Sequence, residues 1–179
     1  LAETHLEFEA RTGQRILERY GMTETNMNTS NPYEGERRAG TVGFALPGVS
    51  VRVSNPDNGK EVTIGETGVL EVKGRNVFKG YWRMPEKTAE EFRDDGYFIT
   101  GDLATLNDEG YVTIVGRAKD LIISGGYNIY PKEIELVLDE LPGVNESAVV
   151  GVPHPDFGEG VVAVLIAKPG ATLDEKQIM

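Results

Sequence analysis

Between residues 49 and 115 apolar side chains alternate with polar ones in short runs, and turn-forming residues close each run. That pattern restricts the stretch to short paired strands. Val49, Val51 and Val53 alternate with polar neighbours and predict a half-buried strand. Asn55-Pro56-Asp57-Asn58-Gly59 predicts a turn, because each of these residues favours turn dihedrals. Val69-Leu70-Glu71-Val72 is the next strand, and Pro85 opens a short helix reaching about Phe92. Residues 97–106 and 111–115 form a hairpin around Asn107-Asp108-Glu109-Gly110, with Leu106 facing Tyr111. Strands this short and this closely spaced point to a small β-barrel or sandwich.

The flanks read differently. Residues 2–12 predict a helix, residues 14–20 a strand, and residues 21–48 a Gly- and Asn-rich connector of little periodicity. Connectors of that length tend to carry function. Beyond Arg117, residues 121–123 predict a strand. Pro131 then opens a helix with Ile134, Val137, Leu138 and Leu141 on one face, and Pro142-Gly143 stops it. Residues 144–152 and 161–167 predict strands, and Thr172 begins another helix. The chain is therefore expected to be α+β. Its expected divisions are 1–48, 49–116 as a distorted barrel, a hinge at 117–119, and a small α+β domain over 120–179.

Composition narrows the chemistry. Hydrophobic residues make up 39 % of the 179 residues, enough to bury a core. Lys and Arg total 18 against 29 acidic residues, a net charge of −11, which argues against a nucleic-acid or anionic-membrane surface. There is no cysteine, so any thiol chemistry must use a thiol carried by a substrate. His5 and His154 lack metal-ligand spacing and read as structural or solvent-facing. No apolar run reaches membrane-spanning length and no signal peptide opens the chain, so a reducing cytoplasm is the expected setting.

Two constellations carry chemistry. Tyr20-Gly21-Met22-Thr23-Glu24-Thr25 offers an aromatic face, a flexible backbone, hydroxyls and a carboxylate; it could hold a nucleotide and Mg²⁺, or be a glycine turn with a capping Thr. In the hairpin, pairing Leu106 with Tyr111 sets Asp102 opposite Val115. Arg117 then becomes a diagonal neighbour of Asp102. Together they could bind a ribose diol and a phosphate, or form a plain cross-strand charge pair.

Taken in order, five segments resemble the motifs of adenylate-forming enzymes, the AMP-binding or acyl-CoA synthetase superfamily. They are Tyr20 to Thr25; Gly65-Glu66-Thr67-Gly68 with Lys73-Gly74 and Gly80-Tyr81-Trp82; Thr100-Gly101-Asp102; Gly116-Arg117-Ala118-Lys119-Asp120 with Gly125-Gly126, Asn128-Ile129-Tyr130-Pro131 and Glu133-Ile134-Glu135; and Leu141-Pro142-Gly143-Val144 with Val149-Val150-Gly151-Val152-Pro153 and Gly158-Glu159. The resemblance implies that Tyr20 packs on adenine, Thr23 contacts the α-phosphate, Glu24 ligates Mg²⁺, Asp102 and Arg117 bind ribose, and Gly21 belongs to the same cofactor-binding set. It implies that Lys119 is a domain hinge and that Gly125 and Gly126 let a pantetheine arm pass. The implied reaction joins a carboxylate to AMP from ATP, then to coenzyme A.

The segment Met27-Asn28-Thr29-Ser30-Asn31, with Arg37-Arg38-Ala39-Gly40-Thr41-Val42-Gly43, looks most like malonyl-CoA synthetases. That makes Arg38, then Arg37, candidates for a distal carboxylate, with Met27 at the acyl group; the arginines could equally be solvated loop residues. The start at Leu1 and the capping-box spacing of Thr172 and Glu175, only a few residues before Met179, are read as truncation. A phosphate loop is expected upstream and a catalytic lysine downstream, a role that neither Lys168 nor Lys176 fits. The fragment alone is then expected to be inactive. Other adenylating enzymes, such as a fatty-acid or aryl-CoA ligase or a peptide-synthetase module, share most of these motifs. The oligomeric state is not set by the sequence.

Overall fold

The computed structural model describes residues 2–56, 58–174 and 178; Leu1, Asp57, Glu175, Lys176, Gln177 and Met179 lie outside them. Two compact units emerge, Leu1–Ile114 and Val115–Met179. The structure is mixed and rich in sheet. Among the described residues no helix is long and apolar enough to cross a membrane.

In the first unit, α1 (Ala2–Thr12) precedes β1 (Arg19–Met22), β2 (Asn26–Ser30) and β3 (Phe44–Ala45), which make a three-stranded sheet in that order. His5 is buried beside Glu18, 2.8 Å from its carboxylate, and serves structure as expected. The 21–48 connector is thus more ordered than its sequence predicts. Its strands escape periodicity because they bury polar groups: Thr25, Asn28, Thr29 and Asn31 are inside. Such groups are stable there only when hydrogen-bonded. Thr29 Oγ1 donates to the Val42 carbonyl and Asn31 Nδ2 to that of Thr41, both at 2.8 Å.

The second sheet runs β4 (Val49–Ser54), β5 (Gly68–Gly74), β6 (Phe98–Leu106) and β7 (Val112–Arg117), with α2 (Pro85–Glu90) between β5 and β6. The predicted alternation holds here: Val53, Leu70, Ala104 and Val112, one from each strand, form a buried cluster. Among the described residues this strand order does not close on itself. The β6–β7 loop is one residue tighter than predicted. Asn107 N–H donates to the Tyr111 carbonyl at 3.1 Å, and Gly110 has φ +85°, a three-residue turn with a glycine bulge. Asn107 Oδ1 fixes it by accepting from the Glu109 and Tyr111 amides. With Asn107 facing Tyr111, counting back along the strands no longer sets Asp102 opposite Val115. A joint role of Asp102 and Arg117 then rests on the family alone.

The second unit begins within β7. A 3₁₀ turn (Ala118–Asp120) leads to β8 (Ile122–Ser124), β9 (Tyr127–Ile129), α3 (Pro131–Asp139), β10 (Val144–His154) and β11 (Gly158–Ala167), in the sheet order β10-β11-β8-β9. β9 is absent from the sequence prediction because Tyr127-Asn128-Ile129 is only three residues long, too short for its alternation to stand out. α3 covers one face through Ile134 and Leu138, with Leu141 just beyond its end, against Ile122, Val149 and Leu165. The other face exposes Val150, Val162, Val164 and Ile166.

Glu71 is fully buried in β5. Its carboxylate accepts from Ser54 Oγ (2.6 Å), Arg52 Nε (2.7 Å) and Arg93 Nε (2.8 Å). Burial opposes the charge, but these three donors and the Arg52 charge outweigh it and hold Glu71 below the usual glutamate range. Its stabilisation is therefore complete above the unfolded value of about 4.3 and is lost as pH falls through the lower folded value. Glu71→Gln should lower the unfolding free energy at pH 7 by about 2 kcal/mol. Urea titrations from pH 6 to pH 3 should also give a shallower stability loss in the variant; parallel curves would contradict this account.

Candidate functional site

The β1–β2 hairpin places Tyr20 on a strand and Thr23, Glu24 and Thr25 in its turn. The turn is tight because Gly21 lies against Asn26: a Cβ on Gly21 would sit 2.1 Å from the Asn26 carbonyl oxygen. Only glycine fits there. Asn26 itself takes φ +54°, a left-handed conformation that asparagine tolerates. Thr23 is exposed at the tip, and Met27, paired with Gly21, is also exposed.

Asp102 comes to this hairpin from β6. Between the pairs Val69↔Leu103 and Glu71↔Ile99, the single residue Leu70 of β5 opposes Thr100, Gly101 and Asp102. This bulge needs Gly101 at φ +74° and is tied down by Thr100 Oγ1, which donates to the Leu70 carbonyl at 2.7 Å and accepts from the Asp102 amide. Asp102 is only 6 % exposed, and its Oδ2 accepts from the Tyr20 hydroxyl at 2.5 Å. Two residues predicted separately as nucleotide contacts therefore touch.

Glu24 is half-buried and fastened to the segment after β5. Its carbonyl accepts from Phe78 N–H at 2.7 Å, and its Oε1 accepts from the Tyr81 hydroxyl at 3.2 Å. Burial, then the Glu24 charge, pushes the Tyr81 phenol up to about 12, so it stays a donor. Asn76 Nδ2 reaches the carbonyls of Thr25 (2.7 Å) and Met27 (3.2 Å) and Asn28 Oδ1 (3.0 Å). Phe78 is wedged among Tyr81, Phe92 and Phe98, with ring centroids 4.9, 6.0 and 5.4 Å away. Sequence reasoning gave Asn76 and Tyr81 no individual role. Their signal lay in the polar Asn76 and the aromatic spacing of Phe78 and Tyr81 inside a motif read only as a block.

The arginines are engaged elsewhere. Arg38 forms a two-pronged pair with Glu109 (2.9 and 2.6 Å), also meets Glu36 at 3.1 Å, and lies 4.2 Å from the Tyr111 ring centre. Arg37 donates to the carbonyls of Pro32, Arg15 and Tyr33. In the second unit Arg117 is exposed at the end of β7 in extended backbone, and Lys119 is exposed within the 3₁₀ turn. Gly125 and Gly126, at φ +57° and +84°, form a two-residue turn between Ser124 and Tyr127 that requires positive φ at both positions. A Cβ on Gly126 would meet nothing within 4 Å, so that backbone is open to an approaching group.

Comparison with known proteins agrees with these motifs. The family model for AMP-binding enzymes matches residues 2–82, and that for the AMP-binding enzyme C-terminal domain matches residues 133–179. The structure superposes on ATP-bound MatB from Rhodopseudomonas palustris with a TM-score of 0.95 and 66 % identity, over 99 % of this chain and 35 % of that one. A probable CoA ligase of Humulus lupulus is 48 % identical and a malonate–CoA ligase of Arabidopsis thaliana 45 % identical. Each alignment covers 92 % of this chain and 27 % of the relative. The chain thus spans about a third or less of the length of the proteins it matches. With two models of one family covering well over half its residues, the chain belongs to the AMP-binding enzymes, the adenylate-forming superfamily.

Proposed function

We propose that the protein to which this chain belongs is an ATP-dependent acyl-CoA ligase that adenylates a short carboxylic acid, malonate, and passes the acyl group to coenzyme A. The observation that carries the reading is the joining of Tyr20 to Asp102 with Glu24 on the adjoining turn. An aromatic ring, a ribose acceptor and a phosphate-side carboxylate then lie on one hairpin and one bulge. In this reading Tyr20 packs on adenine, Asp102 and Arg117 take the ribose hydroxyls, and Thr23 donates to the α-phosphate from its exposed tip. The malonate assignment is supported by the 45 % identity to a malonate–CoA ligase.

Glu24 suits a magnesium ligand. It is a half-buried carboxylate with no lysine or arginine partner among the described residues, oriented by one phenol. Magnesium is commonly held by one or two carboxylates together with substrate phosphates. When bound, the ion would offset phosphate charge as pyrophosphate leaves. Glu24 would hold it, and Tyr81 would keep that carboxylate aimed.

In the architecture proposed for the whole protein, the first unit ends the large nucleotide-binding domain. The four strands β4 to β7 belong to a distorted barrel there, and the second unit opens the small domain. Support for the barrel comes from residues 42–43: Val42 and Gly43 exchange backbone hydrogen bonds with Val112 of β7, and the chain is in β4, at the sheet's other edge, by Val49. The 3₁₀ turn holding Lys119 is the proposed hinge, and Gly125-Gly126 the proposed path of the pantetheine arm. In this reading Arg38 serves structure, since it already pairs with Glu36 and Glu109, and Met27 is the acyl neighbour.

Three tests follow on the full-length protein. Pyrophosphate release should depend on malonate and ATP, and malonyl-CoA should appear only with free coenzyme A; a requirement for a carrier protein would sink the ligase reading. Arg38→Ala should lower thermal stability yet change the KM for malonate and for acetate by the same factor, within about twofold. A selective rise for malonate would return Arg38 to the substrate. Gly21→Ala should abolish adenylation, because the hairpin must open to admit a Cβ; wild-type pyrophosphate release would contradict the described turn.

A further inference from the structure

The segment of residues 76–81 holds the β1–β2 turn at three points of different kind. Asn76 Nδ2 bonds the Thr25 and Met27 carbonyls and Asn28 Oδ1, and Phe78 N–H takes the Glu24 carbonyl. The Tyr81 hydroxyl takes the Glu24 side chain. The segment is itself anchored at both ends of its reach. Phe78 packs among Phe92 and Phe98, and Tyr81 N–H donates to Thr88 Oγ1 of α2 at 2.9 Å. Gly80 allows this approach, since a Cβ there would stand 2.5 Å from the Thr88 methyl. The turn is short of other support: Thr25 and Asn28 are fully buried, yet Thr25 Oγ1 and Asn28 Nδ2 have no hydrogen-bond partner among the described residues.

We propose that Asn76 and Tyr81 are positioning residues for adenylation, Asn76 fixing the backbone of the Glu24 turn and Tyr81 aiming the Glu24 carboxylate. This rests on the functional reading above and extends it to residues that touch neither ATP nor acid. Asn76 suits the task because one amide reaches acceptors in the turn, at Thr25, and in β2, at Met27 and Asn28, so the residue after Glu24 is tied to the strand that follows it. Tyr81 suits it because its hydroxyl donates to Glu24 Oε1 at 3.2 Å while its ring packs edge-on against Phe78 and its N–H is held by Thr88.

The test uses the full-length protein with Asn76→Ala and Tyr81→Phe. ATP–pyrophosphate exchange reads adenylation, and malonyl transfer from preformed malonyl-adenylate to coenzyme A reads the second half-reaction. Asn76→Ala should slow exchange about 10- to 100-fold, the range a displaced catalytic group produces. Transfer should stay within about twofold of wild type, because the adenylate is already formed. Tyr81→Phe should slow exchange about 3- to 10-fold, the worth of one hydrogen bond, with an unchanged melting temperature. Hydrogen exchange supplies a readout apart from turnover: the Phe78 and Thr25 amides should exchange faster in Asn76→Ala and at the wild-type rate in Tyr81→Phe. Equal losses in both half-reactions, or wild-type amide exchange in Asn76→Ala, would overturn the proposal. If the wild-type protein forms no adenylate from any acid, the functional reading fails. The amide exchange of Asn76→Ala then still decides whether this residue holds the turn.

Discussion

The hydrogen bond from Tyr20 to Asp102 joins the two sheets of the first unit, and much of the local structure is arranged so that it can form. A carboxylate 6 % exposed is costly to leave unpaired, so Asp102 must meet a donor wherever the strand delivers it. Regular pleating would give β5 and β6 one-to-one pairing through this region. The bulge inserts two extra residues opposite Leu70, and left-handed Gly101 lets the strand re-aim without strain. Thr100 then satisfies the Leu70 carbonyl that the interruption would have stranded. Thr, Gly and Asp in that order are each explained by geometry: a hydroxyl to patch the ladder, a residue without Cβ to turn it, and the group being delivered.

Much of this could be read from the residues, and the division is physical. β4, β5, β10 and α3 follow from apolar periodicity, because each lends apolar side chains to a core. β2 could not be seen that way. Its Asn-Met-Asn-Thr-Ser sequence buries an amide and a hydroxyl, whose partners Asn76 and Val42 lie far along the chain. The hairpin loop failed by one residue for a related reason. Asn107 reads as a turn residue, but its side chain caps two loop amides, which leaves its backbone free to pair with Tyr111. A slip of one residue exchanges the faces of a strand. The counted argument for Asp102 and Arg117 was sensitive to that slip in a way the family motifs were not.

Arg37 and Arg38 show how many partners residue chemistry leaves open. A guanidinium suits a dicarboxylate, and the connector offers two, next to Glu34 and Glu36. The same fork geometry suits Glu109, 71 residues away, and the Tyr111 ring beneath it. A protein with eleven more acidic than basic groups has many carboxylates competing for each arginine. Only the fold shows which competitor is near.

The segment proposed to act on nucleotide is also the one in which local consistency is poorest. Thr25 Oγ1, Asn28 Nδ2 and Asn76 Oδ1 are buried without protein partners among the described residues, and each such group costs about 1–3 kcal/mol. A strand built for stability would carry valine at positions 28 and 29, and the hairpin would then be held by packing alone. Packing is roughly non-directional, whereas Asn76 fixes the turn only at specified atoms. A site that must hold a carboxylate in one orientation gains from the directional arrangement even at a loss of stability. Natural proteins break their own rules of burial most often where the geometry is used. The unpaired polar atoms of Thr25, Asn28 and Asn76 thus fall in the same segment that is proposed to hold the nucleotide.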